Sequence, residues 1–129
     1  MASWTKDELQ KIAAAEELEL ASLRGDGTLS KPVTIWVVRA GDDLYVRSWK
    51  GDGGAWFRAT QERRQGHIKA GGLGKDVAFV REAADDINDR IDEAYRTKYR
   101  RHGGRYVDPM VAPTARATTI KLVPRSTAA

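Results

Sequence analysis

Apolar residues recur at helical spacing near the start of the chain and then switch to strict alternation. Thr5 and Glu8 have the T-x-x-E spacing of a capping box, and Leu9, Ile12 and Ala13 follow on one face, which predicts a helix over residues 6–16. From Leu18 the pattern alternates, with Leu18, Leu20 and Ser22 on one face, until RGDGT at 24–28 supplies turn residues. VTIWVVRA (33–40) is rich in β-branched and aromatic residues, and Gly41-Asp42-Asp43 separates it from LYVRSWK (44–50), so the two read as a hairpin. AWFRATQERRQ (55–65) predicts a short connecting helix with Gly66 as its stop. HIKA and DVAFVRE, joined by GGLGK (71–75), predict a second hairpin. A helix over 86–101 carries Ile87, Ile91, Ala94, Tyr95 and Tyr99 as an apolar stripe and ends at Gly103-Gly104. A loop with Pro109 and Pro113 then leads to a last strand, TTIKLVP (118–124).

The order α-β-β-β-α-β-β-α-β describes a mainly β, α+β fold. Hairpin connections are too short for parallel crossovers, so the six strands pair antiparallel, and closing them into a small split β-barrel removes exposed edges. A chain of 129 residues, 41% hydrophobic, suits one core, so residues 1–125 form a single domain and 126–129 a disordered tail. Val33, Ile35 and Val37 on one face of a strand, against Trp36 and Val38 on the other, offer more apolar surface than one barrel interior needs, and a homodimer is expected.

Composition narrows the chemistry. The longest apolar runs fall far short of the ~20 residues of a membrane helix, and MASWTKDELQ has no apolar signal core, so a soluble, cytoplasmic protein is expected. There is no cysteine, and His67 and His102 stand 35 positions apart, so no metal site is expected. The net charge of +4 comes from 22 basic and 18 acidic residues, a mixed surface. The basic run RTKYRRHGGR (96–105) follows the acidic ADDINDRIDE (84–93), and the helix macrodipole accounts for that order more simply than a nucleic-acid contact. No Ser-His-Asp set can be assembled, Asp42-Asp43 and Asp85-Asp86 read as turn and cap residues, and Tyr95 and Tyr99 lie on the apolar stripe.

One stretch stands apart, RSWKGDGGAWFRAT at 47–60. Leu44, Val46, Ser48 and Lys50 share one face of their strand, while Tyr45, Arg47 and Trp49 share the other. If Leu44 and Val46 point inward, Ser48 and Lys50 sit at the rim, beside Gly51-Asp52-Gly53-Gly54 and the first amides of the next helix. That set can cradle an anion; it can equally be a turn with a solvated lysine. A bulky side chain at Gly53 is expected to block backbone approach to a ligand. Trp49 and Trp56, with Trp36 and Tyr45, can wall a slot for a flat ring or can serve as core or subunit interface.

The run KPVTIWVVRAGDDLYVRSWKGDGGAWFRAT, the helix with AYRTKY and the final ATTIKLVPR resemble a bacterial domain-of-unknown-function family over nearly the whole chain. More distantly, the plan is similar to the deazaflavin-dependent nitroreductases and the pyridoxamine phosphate oxidase-like split-barrel flavoproteins. That resemblance implies that Ser48, Lys50, Gly51, Gly53, Gly54 and Trp56, with neighbouring Arg47 and Arg58, contribute phosphate and ring binding. The turn LRGDGTLSKP adds Arg24 and Lys31 by the same resemblance. It further implies FMN or deazaflavin as cofactor and a dimer with sites at the interface. Two functions follow as expectations: an oxidoreductase acting on a small molecule, or a barrel that has lost the cofactor and binds a small ligand or partner without catalysis.

Overall fold

In the computed structural model, which describes residues 3–125, seven strands and five helices are present among the described residues. The expected tail at 126–129 lies outside them. Helix α1 (Lys6–Ala14) opens on the expected capping box: Glu8 N–H donates to Thr5 Oγ1 at 3.1 Å and Thr5 N–H to Glu8 Oε1 at 2.9 Å. Strands β1 (Leu18–Ser22), β2 (Val33–Ile35), β3 (Val38–Ala40) and β4 (Asp43–Val46) follow, then α2 (Ala55–Arg63), β5 (Gln65–Ala70) and β6 (Leu73–Arg81). Helices α3 (Asp85–Lys98), α4 (Gly104–Val111) and α5 (Pro113–Arg116) precede the last strand, β7 (Ile120–Pro124).

All strand pairs are antiparallel, in the order β2-β1-β5-β6-β7-β4-β3. The two ends of this curled sheet are consecutive in sequence, joined only by Trp36-Val37. Its inner face gathers Leu18, Leu20, Val37, Leu44, Val46, Ile68, Val77, Phe79, Ile120 and Leu122, and α1 closes the core with Leu9 and Ile12. Trp4 joins them, its indole N–H donating to Leu122 O at 2.9 Å. A second apolar cluster lies outside the curl, where Ile91 and Tyr95 of α3, Tyr99 at its C-terminal cap and Val107 and Met110 of α4 cover Val38 and Tyr45. Both faces of β4 are therefore buried.

Three expectations are corrected. Residues 33–40 do not form one strand of a hairpin, so the sheet has seven strands, not six: β2 pairs with β1 and β3 with β4. The break has a tertiary cause, because Val37 gives its N–H to Tyr99 Oη at 3.1 Å and receives Lys98 Nζ on its carbonyl at 2.6 Å. Side chains of α3 thus replace a strand partner. Second, the segment with Pro109 and Pro113 is helical: Pro113 opens α5, where its missing N–H costs nothing, and Val107 and Met110, three apart, point α4 at the core. Third, α2 ends on Arg64 in the left-handed region (φ 56°), while Gly66 lies inside β5. A Cβ at Gly66 would stand 2.1 Å from Ala21 O, so this glycine serves close strand packing instead of stopping a helix. The second hairpin turns on Gly71-Gly72 alone, both at positive φ, since Ala70 already pairs with Leu73.

The apolar residues of 33–38 find partners within the chain: Val37 and Val38 are fully buried, and Trp36 stacks on Tyr99 at 3.9 Å and 3°. The packing of α3 against this corner carries a pH signature. Burial holds the Lys98 ammonium down to about 8 against the ordinary 10.5, with Glu16 offsetting part of the effect. Between those values the unfolded chain binds more protons than the folded one, so the penalty is complete below about 8 and lifts as pH rises through the window. Burial also pushes the hydroxyls of Tyr45 (to about 12), Tyr95 and Tyr99 above the ordinary 10.0, and there the unfolded chain loses its protons first. The Lys98 contribution should therefore show between pH 8 and pH 10, as a thermal midpoint that gains more with pH in the wild type than in Lys98→Met. Parallel pH profiles for the two proteins would refute this assignment.

Candidate functional site

Beyond Val46 the chain leaves the sheet and turns twice before α2 begins. Ser48 is held at the rim by its N–H, which donates to Thr118 Oγ1 at 2.8 Å, and its carbonyl accepts from Gly51 N–H at 3.0 Å. Lys50 is exposed, with its ammonium 5.4 Å from the centre of the Trp49 ring. A short helical turn, Gly51–Gly53, leads to Gly54, which caps α2 with no side chain on the first-turn amides and no acidic residue among them. A Cβ on Gly54 would stand 2.7 Å from Ser48 Oγ, so only glycine lets the hydroxyl lie against the start of α2. Ser48, Lys50 and the uncapped first turn of α2 are thus neighbours along the chain, and they carry the donor types an anion requires.

This corner forms one wall of a cleft of about 720 Å³. Val33, Thr34, Ile35 and Trp36 make a second wall, and Arg105, Tyr106, Pro109 and Met110 of α4 a third. Glu17 and Arg47 complete the lining. Trp49 and Tyr106 stand more than half exposed on its rim. A smaller hollow of about 260 Å³ adjoins it, lined by Leu20, Ser22, Arg24, Ser30, Lys31 and Ala59, and sharing Val33, Ala55 and Trp56 with the larger one. The indole of Trp56 therefore faces both spaces.

Arg47 reaches the cleft floor with its donors already engaged. Its Nε donates to Thr119 Oγ1 at 2.9 Å, Nη1 to Asp92 Oδ1 at 2.5 Å and Met110 O at 2.9 Å, and Nη2 to Asn88 Oδ1 at 2.9 Å. Asp92 is shared with Arg116, whose Nη1 lies 3.0 Å from the other carboxylate oxygen and 2.7 Å from Asp89. Neither histidine lines the cleft: His67 contacts Asp76 at 2.9 Å and His102 contacts Glu16 at 2.5 Å. Among the described residues, no three His, Asp or Glu side chains gather as a metal site.

Residues 8–122 match the model of DUF2255, described as an uncharacterized protein conserved in bacteria. The chain belongs to that family. No curated protein matches it. Among solved structures, it is similar to a Listeria innocua protein named for pyridoxamine 5'-phosphate oxidase, with 16% identity over 92% of this chain and 90% of that one, at a TM-score of 0.63. HutZ, the heme storage protein from Vibrio cholerae, shares 14% identity over 98% of this chain and 92% of that one, at 0.64. An F420 reductase shares 18% identity over 92% of both chains, at 0.54. At these identities the likeness is one of fold, a curled antiparallel sheet with flanking helices, in agreement with the resemblance drawn from the sequence.

Against this DUF2255 fold, the expected site residues divide. Ser48, Lys50, Gly54 and Trp56 come together in the larger cleft, and Arg24 and Lys31 in the smaller hollow. Arg58 is exposed on α2 and lines neither, and Arg47 is committed to its internal partners. Sequence reasoning missed Arg105 and Met110 because two prolines masked α4, although Val107 and Met110 carried its helical spacing. It also passed over Glu17. The glycines separate in the same way. Gly53 has open space where a side chain would go and no positive φ, so the fold itself does not require glycine there. Gly51 holds φ +71° with Thr114 Cγ2 2.5 Å from its would-be Cβ. Gly51→Ala should cost more than ~1 kcal/mol in denaturant unfolding, whereas Gly53→Ala should stay within ~0.5 kcal/mol. Equal losses at the two positions would contradict this division.

Proposed function

We propose that the cleft binds a phosphorylated flavin or deazaflavin and that the protein is an oxidoreductase using it on a small molecule. The observation that carries this reading is the convergence of Trp36, Trp49, Trp56 and Tyr106 with Ser48, Lys50 and the uncapped start of α2 in one hollow. Aromatic walls suit a planar ring system, and the donor corner suits its phosphate. A volume of about 720 Å³ is that of a small-molecule site. The F420 reductase shares the fold, and F420 is a deazaflavin. The heme protein shares it too, but neither imidazole of this chain faces the cleft, which favours the flavin class.

When bound, the ring system supplies the hydride chemistry. The chain supplies position: Lys50, Ser48 and the amides of Ala55 and Trp56 hold the phosphate, and the indoles exclude water from the ring. Arg47, locked by Asp92 and Asn88, keeps the floor rigid and directs no free N–H upward. A second copy of the chain, as expected from the sequence, would cover the exposed Trp49 and Tyr106. Light scattering at micromolar concentration should then give twice the monomer mass, and a monomer would remove this part of the proposal.

Titration with FMN, riboflavin and hemin tests the cofactor class. FMN should bind more tightly than riboflavin, and Lys50→Ala should weaken FMN by ten- to a hundredfold, about 1.5 to 3 kcal/mol, while leaving riboflavin unchanged. Stability should shift by less than ~0.5 kcal/mol, since Lys50 is exposed. Equal FMN affinity in both proteins, or tight binding of hemin alone, would defeat the reading. Binding of neither flavin nor hemin would instead favour the barrel that has lost the cofactor.

A further inference from the structure

The wall of the cleft around Trp36 has a different chemistry from the Lys50 corner; Trp36 was expected there as a wall for a flat ring, whereas Glu17 was not. Trp36 is fixed on one face by Tyr99, parallel to it at 3.9 Å and 3°. Tyr99 is itself anchored, donating to Glu16 O at 2.8 Å and accepting from Val37 N–H at 3.1 Å. His102 lies 5.3 Å from the Trp36 ring and 6.0 Å from Tyr99, distances that place it at the indole's edge and leave the second face uncovered. Trp36 lines the cleft, so that face is a rigid stacking surface.

Glu17 stands beside it. β1 and β2 pair Leu18 with Ile35, and one step further along the antiparallel register brings Glu17 opposite Trp36. The two consecutive glutamates face different ways: Glu16 takes Arg101 and His102, whereas Glu17 lines the cleft and makes no ion pair among the described residues. It is the single carboxylate in the cleft lining. The other charges near this corner are engaged elsewhere: Lys98 with Val37 O, and Arg101 and His102 with Glu16. Lys50 and Arg105, the free cations of the lining, belong to the walls made by the α2 entry and α4.

We propose that Trp36 and Glu17 form a recognition site for a planar nitrogen heterocycle bearing a positive charge or a donating ring N–H. The indole face attracts a cationic ring through its quadrupole, and the carboxylate adds a charge-assisted contact at its edge. The cleft is thus bipolar, with an anion corner at Lys50 and a cation corner at Glu17. This names the substrate class of the same cleft, and it rests on the proposed function for what happens to the ring once bound. Binding itself needs no cofactor.

The test uses N-methylquinolinium and its neutral counterpart quinoline at neutral pH, titrated by calorimetry into the full chain without cofactor. The wild type should prefer the cation by about tenfold, and Glu17→Gln should abolish that preference. Glu16→Gln should keep it, because Glu16 faces away from the cleft. Trp36→Leu should weaken both probes. No preference in the wild type, or a preference that survives in Glu17→Gln, would overturn the proposal. FMN titrated into Glu17→Gln separates the two ideas: a retained cation preference in the wild type with no FMN binding by any variant sinks the cofactor reading and leaves this one standing.

Discussion

A guanidinium with 1% of its residue surface exposed sits between the sheet and its helical cover, and the placement of those helices depends on it. Removing Arg47 from water is costly, by several kcal/mol even after relaxation, and its attraction to Asp92 offsets that only because every donor has a partner. The partners come from three places in the chain: Asn88 and Asp92 on α3, Met110 on α4, and Thr119 just before β7. A well-packed apolar group could hold these elements together as strongly. What the ion pair adds is direction, since one rotation and one height of α3 present both Asn88 and Asp92 to a planar fork. Arg116 then reads the outer side of the same carboxylate, which ties α5 to α3.

With α3 seated in this way, its far end falls on the corner where the sheet closes. Tyr99 and Lys98 occupy the backbone groups of Val37, and residues 33–40 become two strands on opposite edges of the sheet. The same tyrosine carries the stack under Trp36. One helix therefore decides the strand count and builds one wall of the cleft. The price is visible in Tyr95, whose hydroxyl is buried beneath Arg47 without a hydrogen-bond partner among the described residues.

Much of this plan was legible in the residues, and the exceptions share a physical reason. The Thr5-Glu8 box, the alternation across β4 and the stripe from Ile87 to Tyr99 are determined by neighbours within a few positions, and each appears as expected. The split of VTIWVVRA is caused by side chains more than sixty positions away, and no local pattern announces it. Gly66 looked like a helix stop because its true constraint, the carbonyl of Ala21, lies on another strand. Arg47 read as a ligand-binding cation because adjacent Ser48 and Lys50 flank the cleft, yet strand alternation already put it on the face that α3 covers. Ser48, Lys50, Gly54 and Trp56 were recognisable together because a strand exit, a glycine turn and a helix start are contiguous. Arg105, Tyr106 and Glu17 join them only through the fold.

The cleft occupies the place where the sheet stops being regular. β2 is an edge strand three residues long, so the backbone groups on its outer side have no strand partner, and they face the hollow instead of solvent alone. Opposite, Ser48, Lys50 and Gly54 lie outside any ladder and line the same space together with the uncapped start of α2. Had β2 and β3 run on as one strand, Trp36 and Val37 would continue a ladder and the indole would lose its fixed position over Tyr99. An exposed strand edge is ordinarily a liability, and short length limits it here. The remaining polar backbone is what an apolar cleft needs in order to orient a ligand, because indole walls alone would hold a flat ring in any rotation about its normal. The meeting of the two sheet edges at one corner and the capacity to bind are thus two results of one break at Val37.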